Sequence, residues 1–177
     1  MTTDAAQPPP MPSRATKTLV LMRHAKSDWG DSSLSDHDRP LNKRGNRDAP
    51  IMGKWLADVA PTPSLVLSSS AVRTQETVAA MTSNWSTQPT IRLLESLYLA
   101  GPEAIWRTAA SEGGQHDCVM MLGHNPGMSQ LTSLMADRGI EMPTACMAIF
   151  RLSITRWSEW SKDTDLEFVQ FMSPKLL

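Results

Sequence analysis

Three short runs dominated by apolar residues punctuate the chain: TLVLM at residues 18–22, SLVL at 64–67 and DCVMML at 117–122. Apolar runs of this length, bounded by polar residues, are the pattern of strands buried on both faces. Between them the apolar positions recur at helical spacing. Residues 43–60 set Ile51, Trp55 and Val59 four apart on one helical face, and Pro50, which has no N–H to donate, is expected to mark where regular helix begins. Residues 71–85, with Val72, Val78 and Met81, form a second candidate helix, 103–111 a third and 127–137 a fourth, opened by Asn125 and Pro126 as cap and first-turn residues. Two later runs, 146–154 and 166–172, alternate as strands do and should complete the sheet at its edge. Strands alternating with helices predict an α/β protein: a single three-layer domain with a mostly parallel central sheet and helices on both faces. Residues 1–16, with an Asp and a proline run, read as a disordered tail ahead of a domain at 17–177.

Composition narrows the possible partners. A chain of 177 residues with 41% hydrophobic content is enough for one buried core. Seventeen basic residues against eighteen acidic ones leave a formal charge of -1, so no overall field favours nucleic acid or an anionic membrane. No run approaches the roughly 20 apolar residues of a spanning helix, and the N-terminus lacks the basic-then-apolar layout of a secretory signal. A soluble, cytoplasmic protein is expected. Cys118 and Cys146 sit in apolar runs and read as small core residues in a reducing compartment.

The residues just after each apolar run carry the chemistry, because open α/β sheets bind ligands beyond the carboxyl ends of their strands. Arg23 and His24 end the first run, Ser68 to Arg73 come after the second, and His124 ends the third. Taken alone, each is more often structural than functional; together they deliver two imidazoles and two guanidiniums to one rim. Such a set suits a tetrahedral oxyanion, since arginine presents a rigid fork of donors to phosphate oxygens. Other phosphate chemistries fail on their letters. Neither a P-loop nor a dinucleotide glycine motif occurs. Cys146 and Arg151 have four residues between them rather than the five of a thiolate phosphatase loop. The cluster Asp36, His37, Asp38 has no further ligand nearby and reads as a solvated loop, so no metal ion or other cofactor is expected.

With these residues in view, LMRHAKS resembles the RHG signature of the phosphoglycerate-mutase-like histidine phosphatase superfamily. SSSAVRTQET resembles its S-x-x-x-R-[AT]-x-[QE]-T segment, and GHNPGMS its second-histidine motif. The loop DHDRPLNKRG, the short length and the ending FMSPKLL are similar to compact SixA-like phosphohistidine phosphatases, so the likeness runs from about residue 17 to the C-terminus. The resemblance implies a metal-independent phosphatase in which His24 attacks phosphorus and forms a phosphohistidine. Arg23, Arg73 and His124 would hold the equatorial oxygens. RLLESLY resembles the segment that carries the proton-donating Glu of the mutases, which makes Glu95 the expected acid.

Two departures from the mutase pattern matter. Ala25 replaces the usual glycine, and Lys26, Ser27, Asp28, Trp29, Gly30 stand where the mutases have E-S-x-W-N, so an amide that helps bind phosphate is missing. Lys26 and Ser27, the loop residues Arg39, Asn42 and Lys43, and Asn125 are the candidates for replacing it, with the loop residues expected to face solvent. The substrate implied is a phosphorylated small molecule or a phosphohistidine protein. The competing reading is a phosphate-dependent binding module without turnover, which would not need the pair His24 and His124.

Overall fold

Strand β1 (Lys17–Arg23) lies inside a sheet between β4 (Cys118–Gly123), parallel to it, and β5 (Met147–Leu152), antiparallel to it. The structure is a computed structural model that describes residues 15–177, so the expected tail at 1–16 lies outside the described residues except for its last two. β2 (Leu65–Ser69) and β3 (Thr90–Leu94) extend the parallel part beyond β4, and β6 (Leu166–Met172) closes the other edge against β5. Among the described residues the sheet has six strands in the order β3-β2-β4-β1-β5-β6. The mostly parallel α/β architecture is the one the sequence implies.

Alternation along the strands divides the core in two. Leu19, Leu21, Val119 and Met121 face α3 (Pro102–Glu112) and α4 (Gly127–Ala136), while Val20, Met22, Met120 and Leu122 face α1 (Lys43–Val59) and α2 (Val72–Thr82). Strands covered on both sides have no solvent face, which is why they read as continuous apolar runs. Cys118 and Cys146 are free and buried, and burial pushes both thiols up to about 12.

Three expectations change. β3 is an additional strand, silent in the sequence pattern because its residues are almost all exposed and show neither an apolar run nor a buried stripe. Helix α1 begins at Lys43 rather than near Pro50, which sits inside it. The Asn42 side chain accepts from Gly45 N at 2.9 Å and caps the helix, and packing of Ala49, Met52, Trp55 and Leu56 on the sheet offsets the roughly 3 kcal/mol that an interior proline costs. The buried face of α1 is also not the Ile51–Trp55–Val59 stripe: Trp55 is buried, but Ile51 and Val59 are exposed.

α1 and α2 pack backbone to backbone at Gly53, where an added Cβ would lie 2.1 Å from the backbone oxygen of Met81. Relief requires the helices to separate, because backbone cannot swing aside as a side chain can. Gly53→Ala is therefore expected to lower stability by about 1–3 kcal/mol, read as a reduced urea midpoint. A loss under about 0.5 kcal/mol, the range of an unconstrained surface change, would contradict this packing.

Candidate active site

The register of the parallel ladder fixes where the site forms. Arg23 lies opposite Gly123, so the next residues, His24 and His124, leave the sheet side by side. The His24 N–H donates to Gly123 O at 3.1 Å, and the imidazole centroids are 5.0 Å apart. β2 ends alongside at Ser69, and the first turn of α2 then supplies Arg73. Ala145, in a left-handed conformation (φ 65°), donates its N–H to the carbonyls of both Arg23 and His24 and ties down the same strand end.

Hydrogen-bond chemistry fixes both neutral tautomers. His24 Nδ1 lies 2.7 Å from Ala25 O; a carbonyl only accepts, so Nδ1 carries the proton and Nε2 keeps the lone pair. His124 Nδ1 lies 3.2 Å from an Arg73 nitrogen; a guanidinium only donates, so Nδ1 accepts and Nε2 donates to Ser69 Oγ at 2.8 Å. Burial is the largest cause of the fall in the His24 pKa from 6.5 to about 3, with His124, Arg73 and Arg23 adding to it against the bond to Ala25. Burial followed by Arg73 lowers His124 to about 4. Both imidazoles are neutral at physiological pH.

The two histidines line a cavity of about 290 Å³ with Arg23, Arg39, Arg73 and Lys26. Against these four cations Asp36 is the one carboxylate among the lining residues. Its carboxylate accepts from Arg73 at 2.9 Å, from Arg39 at 3.0 Å and from Tyr98 Oη at 2.7 Å, and the Tyr98 bond leads the causes that hold its pKa below the usual carboxylate range. The Nε atoms of Arg23, Arg39 and Arg73 are buried without a partner. A buried guanidinium N–H left unpaired is costly, and the four cations around one cavity with a single carboxylate are an arrangement suited to an anion.

The expected residues divide among three places. His24, His124, Arg23 and Arg73 come together, and Lys26, Ser27, Arg39 and Asn125 line the same cavity. Arg39 is buried rather than solvent-facing: it donates to Ser27 Oγ at 2.7 Å and lies over the Trp29 ring. The Asn125 amide is committed to Met142 O, and its oxygen accepts from Ser129 at the start of α4, although the cap position is Pro126, one residue later than expected. Asn42 is absent from the lining because its side chain caps α1. Glu95 also lies outside the lining; its side chain is 75% exposed, bonded to Ser70 Oγ and 3.7 Å from His37 Nε2. A series of ring contacts, His37 to Tyr98 to His124 to His24, runs from its neighbour to the nucleophile.

Sequence reasoning misses Asp36, Tyr98 and Ser69. Asp36 belongs to the loop that reads as solvated; the available signal is Arg39 three residues on, and for Tyr98 it is the presence of the chain's single tyrosine inside RLLESLY. Two larger clefts, of about 980 and 430 Å³, flank α3 and α4 but are lined by no histidine or cysteine, so the chemistry belongs to the smaller cavity. Among the described residues no group of His, Cys, Asp and Glu is arranged to hold a metal ion, and no helix is long and apolar enough to cross a membrane.

Comparison with known proteins matches residues 19–97 to the model of the histidine phosphatase superfamily (branch 1). An uncharacterized chloroplastic protein of Arabidopsis thaliana is 33% identical over 81% of this chain and 70% of its own length. Among solved structures, a protein assigned as the phosphohistidine phosphatase SixA of Nakamurella multipartitia superposes with a TM-score of 0.77 at 26% identity, covering 90% of this chain and 96% of that one. One assigned as SixA of Agrobacterium tumefaciens gives 0.74 at 27% identity, covering 89% and 99%.

The neutral buried imidazoles make stability depend on pH. With folded pKa values of about 3 and about 4 against 6.5, the unfolded chain binds more protons than the folded one from about pH 6.5 down to about pH 4. Stability therefore falls as pH is lowered through that window, by up to about 1.4 kcal/mol per pH unit for each histidine. Urea unfolding at about pH 7 and about pH 5 should show the drop, and His24→Gln should roughly halve it. An unchanged midpoint across that interval would contradict the buried neutral pair.

Proposed function

Since the chain belongs to the histidine phosphatase superfamily, we propose that this phosphatase transfers the phosphoryl group of its substrate to Nε2 of His24 and then to water. The observation that carries the reading is the His24 tautomer: the 2.7 Å bond from Nδ1 to Ala25 O leaves the lone pair on Nε2. A pKa lowered to about 3 keeps that nitrogen unprotonated at neutral pH. Attack forms the Nε2–P bond and breaks the bond from phosphorus to the leaving atom, which departs with the electron pair and takes a proton. The Ala25 carbonyl holds the Nδ1 proton as positive charge develops on the ring. Water then attacks phosphorus, the Nε2–P bond breaks, and inorganic phosphate is released. Arg23 and Arg73 supply fixed donors where the transition state spreads charge over the equatorial oxygens, a task served by orientation and charge. The substrate fits the class named by the SixA-like structures, a phosphohistidine, or a phosphomonoester with a similar leaving group.

Proton delivery falls to His124 in this reading. It lines the cavity, and the incoming dianion raises its pKa; protonation at Nδ1 converts that atom from an acceptor of Arg73 into a donor. Glu95, expected as the acid, lies outside the lining, and we assign it the holding of Ser70 and His37 at the rim.

His24→Asn is expected to reduce turnover by at least about 10³-fold, because it removes the covalent route. Rapid quenching at alkaline pH should trap acid-labile phosphate on His24 of the wild type; retained turnover in the variant, or label elsewhere, would sink the mechanism. A second test compares leaving groups, since an alkoxide needs a proton far more than an activated phenolate does. Glu95→Gln should lower turnover of alkyl and activated aryl phosphates equally and by less than about tenfold, whereas a loss of roughly 10² confined to the alkyl ester would return the acid to Glu95.

A further inference from the structure

Two large apolar side chains stand at the mouth of an otherwise charged and polar cavity. Trp29 is 70% exposed and Leu99 is 53% exposed, and both contribute to the lining. Single exposed apolar residues are ordinary, but these two come from different loops and line the same cavity as the four cations. Each is held there. The Trp29 ring rests on Arg39, whose guanidinium carbon is 3.2 Å from the ring centroid, so one indole face is occupied and the other is free. Leu99 adopts φ 50°, a left-handed conformation that a glycine would take without steric cost and that persists in other residues where the surroundings impose it. Here a tight turn imposes it: Tyr98 at φ -68° and ψ 117° precedes Leu99, and the Ala100 N–H closes the turn onto Leu97 O.

The same carboxylate fixes both walls. Asp36 Oδ1 accepts from Arg39, beneath Trp29, and Oδ2 accepts from Tyr98, next to Leu99. The separation of the two apolar side chains is thereby tied to the arginines that line the cavity below them.

We propose that Trp29 and Leu99 form an apolar clamp for a flat unsaturated ring bonded to the phosphoryl group, so that the site prefers phosphoramidates and esters of planar ring leaving groups to those of polyhydroxylated alkyl groups. This rests on the phosphatase reading above and adds to it the residues that select the leaving group. A ring seated between an indole face and a leucine keeps its stacking and apolar contact while its phosphate reaches the guanidiniums. The hydroxyls of a sugar phosphate would lose water against the same two walls, because neither an indole face nor a leucine offers them a hydrogen-bond partner. The ring has two possible sources with one chemistry: the imidazole of a phosphorylated histidine in a polypeptide, or the ring of a free aryl phosphate.

Non-hydrolysable phosphonates separate ring binding from turnover. Calorimetric titration of the whole chain should give phenylphosphonate a Kd lower than that of methylphosphonate by about tenfold or more. Trp29→Ala and Leu99→Gly should each bring the ratio of the two constants towards one; Leu99→Gly places at φ 50° the residue that suits it, and so tests the clamp without threatening the fold. Equal affinities in the wild type, or an unchanged ratio in both variants, would overturn the clamp. If neither phosphonate nor vanadate binds, the phosphatase reading fails beneath it, a result distinct from equal binding of the two phosphonates. Chemically phosphorylated polyhistidine and phenyl phosphate then distinguish the sources: the substrate whose kcat/KM falls further in the variants identifies the ring the clamp serves, and a loss on neither overturns the proposal.

Discussion

Arg23 opposite Gly123 in the parallel ladder of β1 and β4 is the pairing on which the site depends. Six consecutive residue pairs hold the two strands in register, and both strands are buried on their two faces, so a slip by one residue would reverse every apolar side chain between the two halves of the core. The core therefore holds the register, and the register sets His24 beside His124 with a ring separation of 5.0 Å. Precision at the site is a by-product of burying Leu19, Val20, Leu21 and Met22 and their partners on β4. Loops alone would not deliver it, because they lack a ladder to fix their ends.

The second determinant is electrostatic. Four cations line a cavity with a single carboxylate, and the two imidazoles between them stay neutral because burial and the guanidiniums penalise their charged forms. Self-repulsion among the arginines would spread them apart were it not for Asp36, which accepts from Arg39 and Arg73 at once. One anion gathers two of the three guanidiniums, Arg23 being held by Met142 O, and is too few to neutralise them. The remaining charge suits a dianion. The same neutrality leaves His24 Nε2 with its lone pair, so the field that receives phosphate also keeps the nucleophile unprotonated.

The likeness to SixA-like structures reaches across nearly the whole described chain, and it is the site that gives the likeness chemical content. A fold of this type hosts several phosphate chemistries, so substrate preference must come from the residues around the shared rim. In this chain those surroundings include the Trp29–Arg39 stack, the Ser27 hydroxyl bonded to Arg39 and Leu99 in its left-handed conformation.

The sequence by itself determined the alternation of strands and helices, the parallel core and the delivery of His24, Arg23, Arg73 and His124 to one rim. Each of these rests on a property local to the chain: an apolar run for a strand buried on both faces, a helical period for a packed helix, and the residue next after a strand end. Only the tertiary structure decided the rest. β3 is an exposed edge strand recognised by its pairing with β2 and not by its side chains. Pro50 stays inside α1 because a cap eight residues earlier and a buried face hold the helix around it. Asp36 reaches Arg73 and Tyr98 across separations of 37 and 62 residues. Arg39, Trp29 and Leu99 acquire their places only when loops from different strands close over the same rim. Periodicity along a chain records which residues are buried; it does not record which distant partners bury them, and the finer features of this site are all contacts of that second kind.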